Sequence, residues 1–161
     1  MGMDNMDAAT LDAPHDLGMR PLPQLPTARI LVVDDEPQIR EVCRRTLERL
    51  DFDVQFAETG DQALALLKDH TFDFVLTDIN MPGSTDGVRL AEEVKYRSPS
   101  TDVVIMTGYP SVDTAVLALK QGVYDYLLKP FSPAYLDCVV TRCFEKRRLS
   151  KELDREKLLR R

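Results

Sequence analysis

Asp34, Asp35, Asp78, Thr107 and Lys129 are the residues of this sequence whose types and placing could do chemistry together. Each follows a short apolar run: Ile30-Leu31-Val32-Val33 before Asp34-Asp35, Phe72 to Thr77 before Asp78, Val103 to Met106 before Thr107, and Val123 to Leu128 before Lys129. Three carboxylates at one place repel one another unless a cation joins them. Mg²⁺ suits such a set, because it takes oxygen ligands and keeps several of its waters. Lys129 adds a positive point charge and Thr107 a hydroxyl. An acidic metal site beside an ammonium and a hydroxyl would receive a phosphoryl group. Taken singly, each residue has an ordinary explanation: Asp34-Asp35-Glu36 as a helix cap, Asp78 as a loop start, Thr107 as a strand end, Lys129 as a surface lysine. What joins them is that every one stands at the carboxyl end of an expected strand.

The elements that must position them are legible from hydrophobic period. Ile30–Val33 is apolar at consecutive positions, as in a central parallel strand. Pro37 suits a first helical turn, and Ile39, Val42, Cys43, Thr46, Leu47 and Leu50 follow at helical spacing. Val54–Ala57 reads as a second strand. Gly60 opens a second helix with Ala63, Leu64, Leu66 and Leu67. The strand 72–77 is followed by a loop from Met81 to Gly87 and a third helix marked by Val88, Leu90, Ala91 and Val94. The strand 103–106 precedes a fourth helix whose stripe Val112, Ala115, Val116 and Leu119 is expected to lie mostly in the core. The strand 123–128 is followed by a fifth helix from Ser132 or Pro133. Strand and helix alternate five times, which predicts an α/β fold: a parallel sheet, helices on both faces, right-handed crossovers. Ligands in such sheets bind beyond the carboxyl ends of the strands.

The chain has 161 residues, 43% hydrophobic and 30% charged, enough for one domain with a real core. No apolar run is long enough to cross a membrane, and the N-terminus has no signal-peptide pattern, so a cytoplasmic protein is expected. The net charge of −6 argues against nucleic-acid contact by this segment. Residues 1–28, rich in Met, Asp and Pro, are expected to form a flexible leader. Residues 147–161 are a charged helical tail, with Leu149 and Leu153 one turn apart, a candidate coiled-coil linker to an output domain. A solvated helix is the other reading of the tail. Cys43, Cys138 and Cys143 make an odd count without a C-x-x-C, and are expected to be buried or half-buried and free.

Residues 29–146 resemble a response-regulator receiver domain of bacterial two-component (phosphorelay) signalling. The resemblance rests on Leu31-Val32-Val33-Asp34-Asp35-Glu36, Asp78-Ile79-Asn80-Met81-Pro82, Asp86-Gly87, Met106-Thr107-Gly108, and Tyr124-Asp125-Tyr126-Leu127-Leu128-Lys129-Pro130-Phe131. It implies a flavodoxin-like (CheY-like) doubly wound sheet of five strands in order 2-1-3-4-5, with the C-terminal helix extended beyond it. It implies that Asp78 accepts a phosphoryl group from a sensor histidine kinase or phosphotransfer protein. Asp35 would ligate Mg²⁺ directly and Asp34 largely through water, with Asp78 and the Asn80 backbone carbonyl completing the set. Lys129 would contact the phosphoryl oxygens, Thr107 would move toward them, and Tyr126 would swing inward behind it. The Lys129-Pro130 bond would be cis. The switched surface would involve the fourth helix, fifth strand and fifth helix, a candidate homodimer face together with the C-terminal helix. Such a domain catalyses only its own phosphorylation and dephosphorylation. Asn80 and Tyr109 fall where the family tunes phosphate lifetime. One departure stands out: Pro82 to Asp86 is one residue longer than the commonest pattern.

Two other classes compete. A phosphatase of the haloacid-dehalogenase type also uses Asp, Mg²⁺, a hydroxyl and Lys, but its nucleophile follows the first strand in an Asp-x-Asp pattern, whereas here the first strand carries adjacent Asp34-Asp35 and the lone acceptor follows the third. An unphosphorylated docking or dimerisation module of the same fold would leave the acidic constellation unused, a standing repulsion. No helix-turn-helix, zinc set or catalytic domain follows residue 131, so the output, the kinase and the stimulus are not written in this segment.

Overall fold

The computed structural model describes residues 28–160. The leader expected at 1–28 lies outside the described residues except for Ala28, which is buried and accepts a hydrogen bond from the Asp53 amide at 3.1 Å. The elements run β1 (Arg29–Val33), α1 (Pro37–Arg49), β2 (Asp53–Ala57), α2 (Gly60–Asp69), β3 (Phe74–Asp78), α3 (Gly87–Arg97), β4 (Asp102–Thr107), α4 (Val112–Lys120), β5 (Asp125–Leu128) and α5 (Pro133–Leu159). The strands form one sheet in the order β2-β1-β3-β4-β5, parallel throughout. This is the expected doubly wound, CheY-like arrangement.

Alternating side chains of each strand enter opposite layers. Ile30, Val32, Phe74, Leu76, Val104, Met106 and Leu127 pack with Cys43 and Leu47 of α1 and with Leu136, Val139, Val140 and Cys143 of α5. Leu31, Val33, Val75, Val103 and Ile105 pack on the other face against Ala63 of α2, Leu90, Ala91 and Val94 of α3, and Ala118 of α4. Register does the rest: Val33 pairs with Ala57 and Thr77, Asp78 with Met106, and Thr107 with Leu128. The carboxyl ends of the strands therefore form one edge, and the residues after them share it.

The helices that follow this edge start on local caps. Thr59, Asp86, Ser111 and Ser132 each accept a hydrogen bond from a backbone amide of the following turn. Pro37 occupies the first turn of α1, and Glu36 at its N-cap makes no side-chain cap. The Glu36 carboxylate is thus not used as a cap.

Two expectations are corrected. The stripe on α4 is not core: Val112 is 80% and Leu119 72% exposed, Val116 is also exposed, and only the small Ala118 is buried. Ala115 is half-buried. α4 lies on the sheet through its alanines, which turns its branched residues outward. Cys138 is exposed, while Cys43 and Cys143 are buried, and all three are free. Its neighbours Leu136, Val139, Val140 and Cys143 define the buried face of α5, and position 138 falls outside that stripe.

α5 is one helix of 27 residues, about 40 Å long at ~1.5 Å per residue. Its last anchor to the domain is Arg147, which spans the amino edge of the sheet. The guanidinium reaches Asp102 at 3.1 Å and Asp73 at 3.2 Å, donates to the Ser100 carbonyl, and lies over the Phe74 ring. Every described residue beyond it is exposed.

Candidate functional site

Asp34 follows β1, Asp78 ends β3, and Lys129 follows β5, so the neighbouring order of β1, β3, β4 and β5 brings them together. Lys129 Nζ lies 2.6 Å from Asp34 Oδ2, 3.3 Å from Asp78 Oδ2 and 3.3 Å from Glu36 Oε1. Asp34 is fully buried, Asp78 is buried, and the Lys129 side chain is 9% exposed. Asp34 Oδ1 accepts from the Glu36 amide at 2.9 Å, and Arg40 donates to the Asp34 carbonyl at 2.8 Å. Among the described residues the Lys129 ammonium is the one polar partner of Asp34 Oδ2. Asp78 Oδ1 accepts a long bond, 3.4 Å, from the Asn80 amide.

Asp34, Asp35, Glu36 and Asp78 each place a carboxylate oxygen within 4.8 Å of the others. One ammonium does not balance four acids, and carboxylate oxygens gathered this closely are what a hard cation would satisfy. The donor set therefore fits Mg²⁺, and it includes Asp34, Asp35 and Asp78, three of the residues expected to ligate the ion. Glu36 belongs to the cluster and was missed, although it directly follows the two aspartates.

Charge and burial compete at each group. Burial pushes the Asp34 carboxyl above the usual carboxylate range, with Lys129 pulling it back. Burial does the same to Asp78, opposed by Lys129 and reinforced by Asp34. Burial works against the Lys129 ammonium, yet Asp34, Asp78 and Glu36 outweigh it and raise its pKa. The result is a lysine firmly charged beside carboxylates that are reluctant to be.

An open cleft of about 490 Å³ covers this cluster, lined by Asp35, Glu36, Ile39, Asp78, Asn80, Gly108, Tyr109, Lys129 and Pro130. The structure thus brings Asp35, Asp78, Asn80 and Lys129 to one cavity, with Asp34 buried against Lys129. Thr107 and Tyr126 stand apart from it. The buried Thr107 hydroxyl accepts from the Tyr109 amide at 3.1 Å. The Tyr126 hydroxyl lies 3.2 Å from Thr114 Oγ1, in the capping box that begins α4. Thr114 and Thr77, whose hydroxyl donates to the Asp78 carbonyl at 2.9 Å, carry no sequence signal that marks them out. The Lys129-Pro130 bond is cis, as expected.

The backbone after Asp78 turns back at once. Gly87 donates to the Ile79 carbonyl at 3.0 Å. A Cβ at Gly87 would stand 2.0 Å from the Asp78 carbonyl oxygen, so only glycine lets α3 begin this close to the strand end.

Comparison with known proteins points the same way. Residues 30–141 match the family described as the response regulator receiver domain. The regulatory protein AtoC of Escherichia coli is 38% identical over 125 residues, which are 78% of this chain and 27% of that protein. A receiver domain protein of Methanospirillum hungatei superposes with a TM-score of 0.74 at 28% identity, over 77% of this chain and 98% of that one. NtrX of Brucella abortus gives 0.74 at 36% identity, over 80% of this chain and 29% of that one. The chain spans about a quarter of the length of AtoC and similar curated relatives. Among the described residues no helix is long and apolar enough to cross a membrane. The match is to the receiver domain of two-component response regulators. With a lysine-paired acidic cluster at the carboxyl edge of a 2-1-3-4-5 sheet and the family match over most of its length, the chain belongs to the response regulator receiver domain family.

Proposed function

We propose that this chain accepts a phosphoryl group on Asp78 from a sensor histidine kinase or phosphotransfer protein, in a Mg²⁺-dependent reaction, and relays the event through the face formed by α4, β5 and α5. The observation that carries this reading is the Asp78 carboxylate 3.3 Å from the Lys129 ammonium, in an open cleft rimmed by further acids. An Asp78 oxygen attacks phosphorus, an O–P bond forms as the donor's N–P bond breaks, and the imidazole nitrogen keeps the electron pair. Lys129 opposes the upward push of burial on Asp78, favours the ionised nucleophile, and faces the transferred oxygens as fixed positive charge. Asp34, Asp35, Asp78 and the Asn80 backbone carbonyl are the groups that would hold Mg²⁺. When bound, the ion supplies further positive charge to the phosphoryl oxygens.

A phosphoryl group brings roughly −2 charge and three acceptor oxygens. The Thr107 hydroxyl, now only an acceptor from Tyr109, gains oxygens to donate to. Its movement vacates space that Tyr126 can fill, at the expense of the contact with Thr114. Because Thr114 belongs to the N-terminal cap of α4, the start of that helix shifts with it. The exposed Val112, Val116, Leu119 and Leu128 supply the apolar surface that a second copy or an output partner would meet. Residues 147–161 are the linker in this reading, and the cytoplasm its compartment.

Intact mass after incubation with acetyl phosphate tests the reading. Wild-type chain gains one phosphoryl mass with Mg²⁺ and none with EDTA, and Asp78→Asn gains none while keeping its fold. Full uptake by Asp78→Asn overturns the assignment. No uptake by the wild type, even from a cognate kinase, would favour the unphosphorylated docking module.

A further inference from the structure

The loop from Met81 to Gly87, which directly follows the cleft-lining Asn80, departs in length from the commonest pattern. Its far end is held by a side chain on another element. Asp61, in the first turn of α2, accepts from Thr85 Oγ1 at 2.8 Å and from Ser84 Oγ at 3.1 Å through both its oxygens. Thr85 is only 4% exposed, so its hydroxyl needs this partner. Gly60 makes the seat: a Cβ there would stand 2.4 Å from the Thr85 carbonyl oxygen. Gly83 turns the chain with φ at +102°, which brings Ser84 and Thr85 down onto Asp61. The hydroxyls of Thr85 and Ser84 hold the Asp61 carboxyl below its usual range, as donors to an ionised acceptor do.

The loop is therefore pinned at two points. Gly87 is tied to Ile79 at the strand end, and Thr85 is tied to α2. Asn80, which lines the cleft, lies in the short span between them. Resting on the functional reading above, we propose that Asp61 is a positioning residue for that site: it anchors the long loop so that the Asn80 carbonyl is presented to the cation without having to be ordered on binding. Asp61 itself lines no part of the cleft and touches neither the cation nor the phosphoryl group.

The test compares wild type with Asp61→Ala, Asp61→Asn, Thr85→Val and Thr85→Ser. Amide exchange across residues 80–86 is followed in the metal-free chains, and Mg²⁺ alone is titrated calorimetrically. Asp61→Ala and Thr85→Val are expected to speed exchange in the loop and weaken Mg²⁺ binding roughly ten-fold, the lower end of what outer-shell changes do to metal affinity. Asp61→Asn keeps an acceptor oxygen and Thr85→Ser keeps the donor, so both should recover most of the loss. Phosphoryl uptake should need correspondingly more Mg²⁺ but reach the wild-type rate at saturation. Unchanged exchange and unchanged Mg²⁺ affinity in Asp61→Ala, beside a wild type that binds the ion, would overturn the inference alone. A wild type that takes neither Mg²⁺ nor a phosphoryl group would overturn the reading beneath it, and the inference with it.

Discussion

Replacing Lys129 by Met keeps most of the side-chain volume and removes the charge that three acids share. Asp34 Oδ2 sits 2.6 Å from that ammonium and is wholly buried. Asp78 is 3.3 Å away and nearly as buried. Removing one partner from a buried ion pair typically costs ~3–5 kcal/mol, because the other charge stays behind uncompensated. The cleft admits water, so the lower end applies, about 3 kcal/mol. The Glu36 carboxylate, 53% exposed, adds under about 1 kcal/mol. The sign with pH follows from the same geometry. Asp34 and Asp78 are already held above the ordinary carboxylate range by burial, with Lys129 opposing. Without Lys129 both rise further. A carboxyl whose folded pKa exceeds its unfolded one gives stability that is present at low pH and lost as pH rises through the folded value. The deficit of Lys129→Met should therefore be largest near neutrality and shrink in acid. Urea unfolding of both chains in EDTA, at about pH 7.5 and about pH 5, measures it. Added Mg²⁺ should narrow the gap by supplying positive charge to the same acids. An unfolding free energy within about 0.5 kcal/mol of wild type near neutrality, or a deficit that grows in acid, would refute the reasoning.

Other consequences follow from the same contacts. Arg147→Met should free the exit helix, since Asp73 and Asp102 lose their shared partner; we expect faster amide exchange beyond residue 147 and a loss of about 1–3 kcal/mol, read by urea unfolding. Mg²⁺ affinity should fall as pH drops through the raised carboxyl pKa values of Asp34 and Asp78, because protons then compete for the ligand oxygens; calorimetric titration across that range checks it. Tyr126→Ala should leave phosphoryl uptake intact while removing the phosphorylation-dependent change at α4, followed by amide exchange over Val112–Lys120 with and without phosphodonor.

Much of this molecule was legible in its sequence because strands buried on both faces are written as continuous apolar runs. Ile30–Val33 and Val103–Met106 could be little else, and the polar residues after such runs must gather at one edge. Asp34, Asp35, Asp78 and Lys129 were found that way. α4 misled because Val112, Val116 and Leu119 have the spacing of a core stripe, whereas the structure buries the alanine side and leaves the larger residues outside. A hydrophobic period cannot distinguish a stripe that meets the sheet from one that awaits a partner. Arg147 was hidden in a run of charge between Lys146 and Arg148; its importance depends on Asp73 and Asp102, which only the fold places beside it. The loop 82–86 showed its extra residue in the sequence, but not Asp61, which lies more than twenty residues away. Long-range polar pairs of this kind carry no local signature.

The most direct measurement locates the phosphoryl group itself. Wild-type chain is treated with Mg²⁺ and acetyl phosphate, the acyl phosphate is reduced with borohydride to the corresponding homoserine, and the converted residue is identified by peptide sequencing in a mass spectrometer. Homoserine at position 78, with Asp34 and Asp35 unconverted and no 5-hydroxynorvaline at Glu36, is the expected result. Conversion at one of those other acids, with Asp78 untouched, would contradict the account.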